Sequence, residues 1–236
     1  MKILAFDASS LVASVAVLED DIVIAEYTTN FKKTHSQTLL PMLAELKQMI
    51  QLDLKEIDAL AVSGGPGSFT GLRIGSATVK GLGLALDKPI ISVPTVDAMA
   101  YGMFGSRAWI CPMMDARRNQ VYTGLYSFEQ EDMTIHIPQC ACSIEEIIEK
   151  INKINQEVVY LGDGVPVQKE TIQKLTKVPY FFAPAHLNRQ RAASVGALAY
   201  EYYKEGKVQS ALEHEPEYLR LSQAERERLE HETGKK

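Results

Sequence analysis

A chain of 236 residues, 46% hydrophobic and 23% charged, has room for one large or two small packed domains and is too apolar for wholesale disorder. Its net charge of -5 excludes a whole-protein basic footprint for nucleic acid, though not a subunit that works beside such a binder. No apolar run approaches the roughly 18 residues of a membrane span, and Asp7 interrupts the first apolar stretch too early for a signal peptide, so the sequence reads as cytoplasmic.

The first three apolar segments, 2–8, 12–18 and 22–27, read as strands, with Asp20-Asp21 as a turn. Thr34 followed by Gln37 predicts a capping box. From it an amphipathic helix runs to about 51, with Leu39, Leu40, Leu43, Leu46 and Ile50 at helical spacing. A strand at 57–62 leads into a glycine-rich turn at 64–71 and an apolar helix at 72–86, which Ser68 or Thr70 would cap. That helix is apolar almost all round, so it is expected to be covered by its own domain or by a partner. A strand at 89–93 and a helix at 95–104 complete the unit.

The order then repeats. Strands are expected at 108–114, 120–127 and 133–137, and a helix capped by Ser143 runs to about 151. A strand at 157–161, a helix at 165–175, a strand at 178–182 and a helix at 191–204 follow. Two βββαβαβα units predict an α/β fold of two halves with a cleft between them. Residues 1–105 form the first half, 106–189 the second, about 190–220 pack back on the first, and 221–236 are a charged, flexible tail. Asp7 and Asp115 end the first strand of their units, and Gly64-Gly65 and Gly162-Asp163-Gly164 follow the fourth, where ligands sit in such folds.

Three sharper readings of the glycine-rich turn fail. No Lys follows a Gly as a phosphate-binding P-loop needs. Thr70 stands where the dinucleotide fingerprint needs its last Gly. Ser63-Gly64-Gly65 lacks the first Gly of a nucleophile elbow. His35 has Leu39 four residues on, so no helical His pair can hold a metal. Cys111, Cys140 and Cys142 are an odd number with no zinc spacing and read as buried or half-buried thiols.

The run from Gly64 to Gly75 (GGPGSFTGLRIG) resembles the signature of the bacterial TsaB (YeaZ) family. So do Lys2 to Ser9, His35-Ser36 before Leu39-Leu40-Pro41, Asp115-Ala116-Arg117-Arg118 with Tyr122, and Pro216 to Arg220; the likeness covers about residues 1–220. The resemblance implies the actin/Hsp70-like ATPase (ASKHA) fold. It also implies a non-catalytic subunit of the complex that makes threonylcarbamoyladenosine (t6A) at adenosine 37 of tRNAs reading codons that start with A. In that complex the chain would heterodimerise with a catalytic TsaD-type sister, join a TsaE-type ATPase, form a homodimer when alone and meet tRNA only through the complex.

The expected partner face is His35, Leu39, Leu43 and Leu46 with Arg73, Ala77, Gly81 and Leu84. A vestigial nucleotide cleft would comprise Asp7, Ser9, Ser10, Gly64, Gly65, Asp115, Gly162, Asp163 and Gly164. Ser9 replaces the Gly that lets backbone amides close on a phosphate, so at most weak ATP or ADP–Mg²⁺ binding is expected, with no catalytic residue and no metal site. The alternatives are an ATP-hydrolysing or kinase-like enzyme using Asp7 or Asp115 and, last, a peptidase using Ser63.

Overall fold

The computed structural model describes residues 1–220. Its first sheet has the order β3-β2-β1-β4-β5, from β1 (Lys2–Asp7), β2 (Ala13–Glu19), β3 (Ile22–Thr29), β4 (Ala59–Gly65) and β5 (Ile90–Pro94). β2 runs antiparallel to its neighbours β1 and β3, whereas β1, β4 and β5 are parallel. The second sheet repeats the order with β6 (Trp109–Asp115), β7 (Gln120–Glu129), β8 (Asp132–Ser143), β9 (Val158–Leu161) and β10 (Tyr180–Phe182). The central strands are buried on both faces, and their near-continuous apolar composition is what parallel pairing between helical layers requires.

Helices α1 (Leu39–Met49) and α2 (Phe69–Leu86) cover one face of the first sheet, where Leu39, Met42, Leu43 and Leu46 meet Val79, Leu4, Phe6 and Leu60. Helices α4 (Ile144–Ile154) and α5 (Gly164–Leu175) cover the corresponding face of the second. The last helix of each half crosses over. α3 (Thr95–Tyr101) places Val96, Met99 and Ala100 on the second sheet. α6 (Ala192–Lys204) packs Ala192, Val195, Leu198 and Ala199 on Ile3, Ala5, Ala16 and Leu18 of the first. Among the described residues, no helix is long and apolar enough to cross a membrane.

Several local expectations are corrected. Thr34 makes no side-chain cap; a 3₁₀ turn at His35–Gln37 intervenes, and α1 begins at Leu39. Pro41 explains the shift. A helix starting at Thr34 would place it in the second turn, where its missing N–H and its ring would break the ladder, whereas a start at Leu39 puts it in the first turn, which needs no donor there. The strand expected at 133–137 extends to Ser143, because β8 is an edge strand and Pro138 lies where two residues oppose Gly124 alone. α2 starts at Phe69, capped by Ser68 Oγ, which accepts the Gly71 N–H at 3.3 Å. The charged tail expected at 221–236 lies outside the described residues.

Candidate functional site

A cleft of about 660 Å³ lies between the halves. The first half contributes the turn after β1 (Ser9, Ser10), His35 and the entry to α2; the second contributes Asp115 to Arg118 and Asp163, and Arg220 closes one side. The entry to α2 is pressed onto the turn after β1. Ser68 N–H donates to the Ser9 carbonyl at 2.7 Å, and His35 Nε2 meets the Ser10 carbonyl at 2.7 Å. Gly67 and Gly71 lie directly on the Ser9 and Ala8 carbonyls, so any side chain there would displace backbone.

Asp7 does not reach this cleft. It is 1% exposed, and its Oδ1 accepts the Ser9 N–H at 2.9 Å and the Ser9 hydroxyl at 2.7 Å. Burial pushes its carboxyl up to about 6, against the opposing pull of those Ser9 hydrogen bonds and of His35. Gly64 and Gly65 are also outside: the Glu217 N–H donates to the Gly64 carbonyl at 2.7 Å, and the Glu217 carbonyl lies where a side chain on Gly65 would go. Gly162 and Gly164 pack against the backbone of Met113 and Met114. Of the nine residues expected to line a nucleotide cleft, Ser9, Ser10, Asp115 and Asp163 do so.

These groups are engaged within the protein. Asp115 Oδ1 accepts the Arg117 N–H at 2.9 Å, and its carboxylate lies 3.4 Å from the Arg117 guanidinium. Asp163 accepts from Gln190 at 3.2 Å, and burial raises its pKa. Strand-end aspartates that tie down their own turns do not fit an ATP–Mg²⁺ complex, whose metal needs accessible carboxylate oxygens and whose phosphates need free amides. Among the described residues, no group of three His, Cys, Asp or Glu could hold a metal ion. Ser63 is buried and absent from the cleft lining.

Arg117, Arg118 and Asn119 are three successive non-glycine residues in the left-handed region. Each is uphill by about 1–2 kcal/mol there, so the turn is held by its surroundings rather than by local preference. The hydrogen bond that Arg220 Nη1 donates to the Ala116 carbonyl is one such restraint. In the sequence, Asp115 is a cleft candidate, whereas Ala116, Arg117, Arg118 and Arg220 stand only among the marks of resemblance, with no role for the arginines.

The buried carboxyl of Asp7 makes stability depend on pH. Its folded pKa lies above its unfolded value, so its contribution is complete below about 4 and is lost as pH rises through about 6. Asp7→Asn is expected to remove that loss and to raise stability at pH 7 by on the order of 1–3 kcal/mol relative to the parent, while leaving the two chains similar at pH 4. Urea unfolding of both chains at pH 4 and pH 7 measures the difference.

On the outer side of the first half, α2 turns Leu72, Gly75, Ser76, Val79 and Gly83 inward and Arg73, Ala77, Gly81 and Leu84 outward. Leu84 is 60% exposed, and among the described residues nothing beyond the helix's own backbone lies within 4 Å of where a Gly81 side chain would stand. Tyr218 stacks on Phe69 at 4.4 Å, and its hydroxyl meets Arg73 Nε at 3.2 Å, so the C-terminal segment straps the first turns of this helix. The expectation for α1 is corrected: Leu39, Leu43 and Leu46 belong to the core, because they are the stripe that meets the sheet, while Leu40 and Met49 face outward. His35 faces the cleft rather than the outer surface of α1.

The duplicated sheet order, the crossed helices and the interlobe cleft define an actin/Hsp70-like ATPase fold. The family model described as "TsaD: tRNA N6-adenosine threonylcarbamoyltransferase" matches residues 23–228. The tRNA threonylcarbamoyladenosine biosynthesis protein TsaB of Bacillus subtilis is 33% identical over 98% of this chain and 99% of its own. TsaB of Escherichia coli is 30% identical over 93% and 95%, respectively. The solved structure of YeaZ from Pseudomonas aeruginosa superposes with a TM-score of 0.79 at 26% identity, covering 92% of this chain and 99% of that one. The chain therefore belongs to the TsaB (YeaZ) family of tRNA threonylcarbamoyladenosine biosynthesis proteins.

Proposed function

We propose that this chain is a non-catalytic subunit of tRNA threonylcarbamoyladenosine biosynthesis that heterodimerises with a TsaD-type subunit and activates it. The outward face of α2 carries the reading. Ala77, Gly81 and Leu84 form a small-residue and apolar stripe in open solvent, and Leu40 and Met49 of α1 and Leu212 add apolar surface on the same half. Small side chains let a second helix approach closely, and an apolar helix face gains by being covered. The cleft supports the same reading, since its carboxylates Asp115 and Asp163 are already engaged within the protein.

A helix-on-helix contact of this kind would be of standard size, roughly 1,200–2,000 Å² in total. A second copy of the chain would use the same face when the sister is missing. A TsaE-type ATPase would join the assembled pair in the cytoplasm, and tRNA would be met through the complex. Reconstitution tests the proposal: with a TsaD-type subunit and the remaining proteins present, omission of this chain is expected to abolish threonylcarbamoyl transfer to tRNA. Transfer at an undiminished rate would reject the role.

A further inference from the structure

We propose that Cys140 and Cys142 are a redox-active dithiol, in which Cys140 is a modification site for hydroperoxides and Cys142 is its resolving thiol. The two stand two residues apart on β8, so both side chains project from the same face of the strand. That face looks toward α4: Cys142 is buried among the residues that pack α4 and α5 on the second sheet, and Cys140 lies half-buried at the margin of that cluster. Across the ladder they oppose Thr123 and Val121 of β7. The site is independent of the contact proposed for α2.

The charged groups facing Cys140 come from α4. Lys150 favours a thiolate there and Glu146, ion-paired to Lys150 at 2.9 Å, opposes it. The larger influence is the adjacent Cys142 thiol, which draws the Cys140 pKa down to about 7 against the opposing effect of burial, while Cys142 itself is pushed up. Cys111, on β6 beyond the intervening β7, is the contrasting case. Its thiol lies 3.4 Å from Thr123 Oγ1, and burial pushes it up to about 12, so it is inert and serves as an internal control.

The chemistry balances with a hydroperoxide as the oxidant. The Cys140 thiolate attacks the distal oxygen; an S–O bond forms, the O–O bond breaks, and the alcohol leaves after taking a proton. Cys142 then attacks the resulting sulfenic sulfur; an S–S bond forms, the S–O bond breaks, and water carries away the Cys142 proton. Alternate residues of a strand are about 6.4–6.8 Å apart at Cα, the upper end of what a disulfide spans, so β8 must pucker at Ala141. It has the freedom to do so: it is an edge strand, and the bulge at Pro138 and Gln139 ends at Cys140. A bond closed this way is strained and therefore readily reduced, which makes the modification reversible.

The full chain, fully reduced, provides the test. At pH 7, iodoacetamide is expected to alkylate Cys140 at least about tenfold faster than Cys111. After treatment with a stoichiometric alkyl hydroperoxide, peptide mass analysis should find a disulfide linking residues 140 and 142, reversed by dithiothreitol. Cys142→Ser should instead hold a sulfenic acid at Cys140 that a 1,3-diketone traps, and Cys140→Ser should give neither product. Equal alkylation of Cys140 and Cys111, or a peroxide-treated parent chain with no disulfide, overturns the proposal. The measurements on the parent chain decide the matter even if a variant folds poorly.

Discussion

Ala77→Arg is expected to leave the isolated chain as stable as its parent and to prevent its association with a TsaD-type subunit. Ala77 lies on the outward face of α2, one turn from Arg73 and one from Gly81, with no part in the core. A substitution at such a position shifts stability by less than about 0.5 kcal/mol. In a helix-to-helix contact the same change does two kinds of damage. The long side chain holds the second helix away from a stripe whose value is that it permits close approach, and the guanidinium loses water without gaining a partner. Together these should cost at least about 3 kcal/mol, or more than a hundredfold in affinity. Thermal unfolding of the variant and its calorimetric titration with the TsaD-type subunit measure the two halves of the prediction. A variant that melts normally and still binds with parental affinity moves the contact away from α2.

The complementary result is expected on α1, where adjacent leucines should separate cleanly. Leu39 is 1% exposed and sits in the core under the first sheet, whereas Leu40 is 53% exposed. Leu39→Ala removes buried methyl groups and leaves a cavity beneath Leu4 and Phe6, which costs about 2–5 kcal/mol. In a chain of this size that lowers the melting temperature by roughly 5–15 °C. Leu40→Ala should leave the melting temperature nearly unchanged. Equal losses at the two positions would mean that α1 is rotated about its axis relative to the packing described here.

These leucines also mark where the sequence stopped being readable. The repeated βββαβαβα order could be read in advance, because buried parallel strands leave continuous apolar runs and helices leave a period of 3.6. Heptad-like spacing shows that a helix has an apolar stripe but not what covers it. Leu39, Leu43 and Leu46 fit an outer contact as well as an inner one until the sheet beneath them is known. On α2 the outward residues were legible for a related reason: a helix with small or apolar residues around nearly its whole circumference must leave some of them uncovered.

The cleft was less legible than the halves that form it. Asp7 ends β1 and its carboxyl bonds to its own turn, as a strand-end carboxylate is expected to; what alternation does not reveal, with both faces of β1 buried, is that it stays out of the cleft. That the C-terminal segment returns to the first half was expected, but not its partners: Glu217 and Tyr218 strap Gly64, Gly65 and Phe69, some 150 positions away, and no local pattern encodes that pairing. The three left-handed residues at 117–119 carry no glycine to announce them.

The crossed helices decide how far the architecture could be shortened. The layer that shields Ile3, Ala5, Ala16 and Leu18 from water is α6, which is encoded only after the last strand of the second half. Discarding the second lobe would strip the first of its own lining, and truncating the first would uncover Ile110 and Val159, which α3 protects. Neither lobe is a dispensable appendage: each is the other's inner wall, so the architecture cannot be cut down to a single lobe without baring the core of the one that remains.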